Sequence, residues 1–147
     1  VHDEMVRSFP GASSVLRALR NHGTKIAVVT SKRVGIAKRT LECCGLWESV
    51  DLVVCADQVQ RPKPHPESVN LALSELGLEP DRVVFVGDSP FDLRAGKGAG
   101  TRTAAALWGP FNLEELLAEE PDFVLDALED VLEINAEEVV GGTPHPS

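Results

Sequence analysis

Four short apolar runs recur along the chain, and stretches of helical period separate them. The runs are residues Lys25–Thr30, Asp51–Cys55, Arg82–Gly87 and Thr103–Leu107. Each is five or six residues long, rich in Val, Ile or Ala, and nearly continuous rather than alternating. That pattern predicts strands buried on both faces. Between and around them, helices are predicted over Gly11–His22, Val34–Cys44, Glu67–Gly77, Phe91–Gly96, Leu113–Ala118 and Asp126–Ile134, with a small edge strand at Phe123–Leu125. Alternating strands and helices specify an α/β fold: an open parallel sheet with helices on both faces. In such sheets, ligands bind beyond the carboxyl ends of the strands. The residues that follow each strand are therefore the ones to question.

Composition narrows the functions. A net charge of −9 argues against nucleic acid as a partner, because that contact needs clustered Lys and Arg. It does not exclude a small anionic substrate, since a metal ion and a few placed cations dominate a local field. The acidic residues from Glu114 to Glu138 read as a solvated helix face. No apolar run approaches the roughly 18 residues that span a bilayer, and no basic-then-apolar leader is visible, so the expectation is a cytoplasmic protein without a membrane partner. The first residue is Val, which fits an alternative start codon, a processed end or a piece of a longer chain. Cys43, Cys44 and Cys55 have no C-x-x-C spacing and are expected to be buried or half-buried free thiols.

The strand ends carry the chemistry. The first predicted strand runs into Thr30-Ser31-Lys32. The third runs into Gly87-Asp88-Ser89-Pro90-Phe91-Asp92. Between them lies Arg61-Pro-Lys-Pro-His-Pro66, whose three prolines rule out helix and central strand and leave a loop presenting Lys63. A hydroxyl, a cation and two carboxylates thus share one sheet edge. Phosphoryl transfer needs that set: carboxylate oxygen for Mg2+, a hydroxyl and N–H groups for phosphate oxygens, and a lysine to offset charge. Each residue alone has a plainer role. Ser31 would cap the following helix, Lys63 would be a solvated loop lysine that packs little, Asp88 would be an N-cap, and Asp92 would be a first-turn carboxylate favoured by the helix dipole. Gly96-Lys97 resembles the end of a phosphate-binding loop, but Gly98 stands where Ser or Thr should follow. His22 and His65 have no acidic or cysteine partners at ligand spacing, and His65 reads as loop structure beside the site.

Taken in order, these segments resemble the haloacid dehalogenase-like (HAD) superfamily, in its phosphoglycolate-phosphatase-like branch. Phe9-Pro-Gly11 looks like that branch's re-entry into the core after its cap domain. Val28-Val-Thr-Ser-Lys32 matches the second family motif, Lys63 in its proline-rich loop the third, and Val86-Gly-Asp-Ser-Pro-Phe-Asp92 the fourth. The resemblance implies a Rossmann-like core. It implies that Thr30 and Ser31 bind substrate, Ser31 with nearby N–H groups holding phosphoryl oxygens. It implies that Lys63 is catalytic and also contacts substrate, that Asp88 ligates Mg2+, and that Asp92 is catalytic and supports the metal from behind or through water.

One departure matters. The family's first motif, an Asp-x-Asp whose first carboxylate attacks phosphorus and whose second acts as general acid/base, occurs nowhere in these residues. In the family it lies upstream of the cap, on the central strand of the sheet. The expectation is therefore a partial core: residues 1–8 the end of the cap-to-core linker, 9–135 a core lacking its central first strand, and 136–147 a disordered tail. The implied function is a Mg2+-dependent phosphatase for a small phosphorylated metabolite, of phosphoglycolate or sugar-phosphate type. It would act through an aspartyl-phosphate. The alternative is a truncated or degenerate HAD-like domain that turns nothing over.

Overall fold

In the computed structural model, residues 12–43 and 45–134 are described. The expected linker at 1–8 and the tail at 136–147 lie outside them, as does Cys44. The elements run α1 (Ala12–Asn21), β1 (Ala27–Val29), α2 (Val34–Cys43), β2 (Leu52–Val54), α3 (Glu67–Leu76), β3 (Val84–Gly87), α4 (Pro90–Gly98), β4 (Arg102–Ala106), α5 (Leu113–Leu117) and β5 (Phe123–Leu125). Short 3-10 turns at Trp47–Ser49, Ala56–Gln58, Pro80–Arg82 and Leu128–Asp130 join several of them. The α/β fold with parallel strands stands as expected.

Every strand pair among the described residues is parallel. β1 pairs with β2, Ala27 opposite Leu52 and Val29 opposite Val54. β3 pairs with β4, Val84 opposite Arg102 and Gly87 opposite Ala105, and β4 pairs with β5. β4 has a neighbour on each side, and its Thr103, Ala104, Ala105 and Ala106 are buried. The strand period of two sends these residues to opposite faces. Ala104 packs with Phe123, Leu125 and Ile134. Ala105 packs with Leu93 of α4 and Leu116 of α5. Helices therefore cover both faces. α3 and α4 share a cluster of Val69, Leu73 and Ala95, whereas α1 brings Val15 and Leu19 onto Ile26, Leu128 and Val131.

The last helix starts later than its periodicity suggests. Asp130 accepts hydrogen bonds from the N–H groups of Asp126 and Ala127, both at 3.1 Å. That folds the entry into a 3-10 turn before residues 131–134 become helical. Cys55 is buried, but Cys43 is exposed. It stands two positions beyond buried Leu41, on the far side of α2.

Among the described residues the strands form two sheets, β1-β2 and β3-β4-β5, with no ladder between β1 and β3. Accordingly Phe85 and Val86 are only half-buried, whereas their partners Thr103 and Ala104 on β4 are buried. Each unpaired polar backbone group that is buried costs about 1–3 kcal/mol, against about 5–15 kcal/mol of net stability for a whole domain. Residues 1–147 expressed alone are therefore expected to unfold with low cooperativity and to self-associate through these edges. Thermal unfolding checks this. A sharp, reversible transition at about 45–65 °C would overturn it.

Candidate active site

The site is built at the carboxyl ends of β1 and β3. β3 ends at Gly87, and Ser89 then caps α4: its Oγ accepts the Asp92 N–H at 3.2 Å, with Pro90 at the first helical position. The cap role considered for Asp88 thus belongs to Ser89. A serine, then proline, then an acid three residues on is a start signal readable in sequence, and it fixes which way Asp92 points. Asp92 turns back on the strand end, where its Oδ2 accepts the Asp88 N–H at 3.2 Å. Its Oδ1 meets Lys63 Nζ at 2.7 Å. The two side chains of this pair are only 6% and 5% exposed.

Lys63 also donates to the carbonyl oxygen of Val29, the last residue of β1, at 3.3 Å. One ammonium thus links the proline loop to both strand ends. The loop lysine is buried in charge-assisted bonds rather than solvated.

At the end of β1, Thr30 is buried and its N–H donates to the Val54 carbonyl at 2.9 Å. Its Oγ1 accepts the Lys32 N–H at 3.1 Å, closing a turn around Ser31. Ser31 is exposed at this edge, two residues beyond the carbonyl that Lys63 holds. The start of α2 is served from elsewhere, since the Val34 N–H donates to Asp57 Oδ1 at 3.3 Å. Lys63, Asp88 and Asp92 are thus joined directly, while Thr30 and Ser31 connect to them through the end of β1. His65 is loop structure: its Nδ1 accepts the Glu67 N–H at 3.1 Å.

Asp88 is the electrostatic outlier. It is 2% exposed, and its Oδ2 has no hydrogen-bond partner. Burial first, and then the neighbouring Asp92 carboxylate, push its carboxyl up to about 6, while its own N–H and Lys63 pull the other way. A buried anionic oxygen without a partner is what a hard divalent cation satisfies. Among the described residues no three His, Cys, Asp or Glu side chains converge as a metal cage. Mg2+ does not need one, because it keeps several waters and commonly takes one or two carboxylates plus phosphate oxygens. The residues present therefore fit Mg2+, which Asp88 Oδ2 would hold.

Two glycines bring backbone against these carboxylates, and no motif announced either role. A Cβ on Gly109, after β4, would lie 2.5 Å from Asp88 Cβ and 2.7 Å from its Oδ2. A Cβ on Gly87 would collide with Asp92 Cβ and Cγ. Gly87→Ala is expected to cost about 1–3 kcal/mol of stability and to push Asp92 off Lys63. Chemical denaturation reads the first effect. A variant as stable as its parent would show that Asp92 has room to move.

Parallel strands with polar side chains gathered at their carboxyl ends define a Rossmann-like α/β domain. The chain belongs to the haloacid dehalogenase-like hydrolases, whose family profile matches residues 1–106. It is 39% identical over 133 residues to "Pyrophosphatase PpaX" of Bacillus velezensis, covering 90% of this chain and 62% of that protein. Among solved structures, it resembles a predicted phosphoglycolate phosphatase from Haemophilus somnus, with a TM-score of 0.81 and 28% identity over 86% of this chain and 56% of that one. It also resembles CbbY from Rhodobacter sphaeroides in complex with phosphate, with a TM-score of 0.75 and 30% identity over 84% and 55%. The chain thus spans roughly three fifths of the length of the relatives it matches. No helix among the described residues is long and apolar enough to cross a membrane.

Proposed function

We propose that the protein carrying this chain is a Mg2+-dependent phosphatase for a small phosphomonoester of phosphoglycolate or sugar-phosphate type. The observation that carries the reading is the buried Lys63–Asp92 pair beside the unpartnered Asp88 oxygen. Phosphoryl transfer asks mainly for positioning and for charge placed where negative charge develops. Lys63 would neutralise a transferring phosphoryl group, its ammonium held ready by Val29 and Asp92. Ser31 would donate to a phosphoryl oxygen from the turn that Thr30 closes. Asp88 would hold Mg2+ through Oδ2, with Asp92 orienting it through the Asp88 N–H. The cation, when bound, would offset charge on phosphate oxygens.

The attacking carboxylate would come from the family's first motif, giving an aspartyl-phosphate. Its strand would lie between β1 and β3, where no described strand pairs. A relative named a pyrophosphatase and another bound to phosphate support phosphorylated substrates. The lack of Asp-x-Asp in these residues favours a second reading, a non-catalytic domain. One experiment decides between them. The protein from its complete gene is assayed on phosphoglycolate, sugar phosphates and pyrophosphate, with Mg2+ or with chelator. Mg2+-dependent phosphate release from a monoester is expected. No release from any of them would sink the phosphatase and leave the inert domain.

A further inference from the structure

Lys63 sits in a loop with few donors of its own. Three of the six residues from Arg61 to Pro66 are prolines and have no N–H. The His65 N–H closes a turn onto the Pro62 carbonyl at 3.0 Å. The entry to the loop is held by the side chain of Glu67, the first residue of α3. Its Oε2 accepts the Gln60 N–H at 2.9 Å. Its Oε1 accepts the Arg61 N–H at 3.2 Å and Arg61 Nε at 3.3 Å. Its own N–H goes to His65 at the loop's exit. The Gln60 N–H foremost holds the Glu67 carboxyl below the usual glutamate range.

We propose that Glu67 is a positioning residue, which staples the Gln60–Arg61 entry of the loop to α3 and so keeps Lys63 between the Val29 carbonyl and Asp92. The role in turnover rests on the phosphatase reading; the role in placing Lys63 does not. The plainer account is a surface ion pair with Arg61. The Arg61 side chain is 68% exposed, and exposed pairs hold little in place. The two bonds to backbone N–H groups differ in kind, because they fix the path of the chain just before a proline-stiffened segment. Loosening them lets the whole Lys63 loop drift, since prolines transmit a change of direction rather than absorb it.

The test is acylation footprinting of lysines, read by mass spectrometry, on the protein from its complete gene and on Glu67→Ala, Glu67→Gln and Arg61→Met. Lys63 is expected to be protected in the parent. Its acylation should rise about tenfold or more in Glu67→Ala, as the local structure opens more readily. Glu67→Gln should be intermediate, because one amide oxygen replaces two charged acceptors. Arg61→Met keeps both backbone bonds and should leave Lys63 protected. In turnover, Glu67→Ala should lower kcat about ten- to hundredfold with KM nearly unchanged, the sign of a displaced transition-state group. Protection of Lys63 retained in Glu67→Ala, or lost equally in Arg61→Met, would overturn the proposal. If Glu67→Ala does not fold cooperatively, Glu67→Gln decides by the same readouts. A footprint that responds as expected in a protein without phosphatase turnover would overturn the phosphatase reading and leave the staple standing.

Discussion

Replacing Lys63 by alanine is expected to lower kcat by about 10²–10³-fold, the cost of removing one preorganised donor from a developing oxyanion. From the sequence, a loop lysine would be removable without loss of stability. Its burial changes that expectation. Lys63→Ala takes the ammonium from a carboxylate that is 5% exposed, and breaking a buried pair from one side costs about 3–5 kcal/mol. Activity and stability should therefore fall together. Lys63→Met combined with Asp92→Asn separates them, because neither buried charge remains. The double variant should recover most of the stability and none of the activity. Steady-state kinetics and urea denaturation on the parent, Lys63→Met, Asp92→Asn and the double variant complete the cycle. A single variant with near-parental kcat would remove Lys63 from the mechanism.

Asp88→Asn should move stability the other way. The folded protein raises the Asp88 carboxyl to about 6 from an ordinary 3.8, so the folded state binds that proton more tightly than the unfolded one. The stabilisation this gives is complete below the unfolded value near 4 and is lost as pH rises through about 6. With divalent cations chelated at pH 7.5, the ionised, unpartnered carboxylate is thus a liability of at most about 3 kcal/mol. Asn removes it. Other acids run in the opposite sense. Asp51, held low mainly by the Ile26 N–H and then by Arg20, contributes stability that is present above its unfolded value and lost as pH falls through its folded one. The difference between wild type and Asp88→Asn, followed from pH 4 to 8, reports the titration of Asp88 together with its effect on Asp92. Adding Mg2+ should stabilise the wild type and barely move the variant, whose kcat should collapse. Parallel pH curves for the two proteins would show that Asp88 is not the strained group.

The strand ends were legible because short β-branched runs stop where polar residues begin. β3 ends at Gly87 as expected, and β1 and β2 stop one residue short of Thr30 and Cys55. The shared edge of Ser31, Lys63, Asp88 and Asp92 followed from that alternation alone. Depth did not. A lysine flanked by prolines reads as solvated, and only the path of the loop puts its ammonium against Val29 and Asp92. The same path brings Glu67 onto Gln60 and Arg61, contacts that no local periodicity encodes. Gly109 lies 21 residues from Asp88 in sequence, and β4 alone brings the two together. The last helix was expected from Asp126 because apolar periodicity does not tell a 3-10 entry from a helical one.

Phe85 occupies an unusual place in this architecture. It projects from β3, yet it packs both with Val29, Val54 and Ala72, around the β1-β2 pair, and with Val69, Leu73 and Ala95. Behind it, Gly96 comes so close that a Cβ there would lie 2.9 Å from the ring. A rigid aromatic wedged from both sides works as a feeler gauge: its thickness sets how far apart the two halves of the molecule stand. The polar side chains at the top of those halves inherit that spacing. A change in the bulk of this wholly apolar residue, three positions before Asp88, is therefore expected to alter how far apart those polar groups stand.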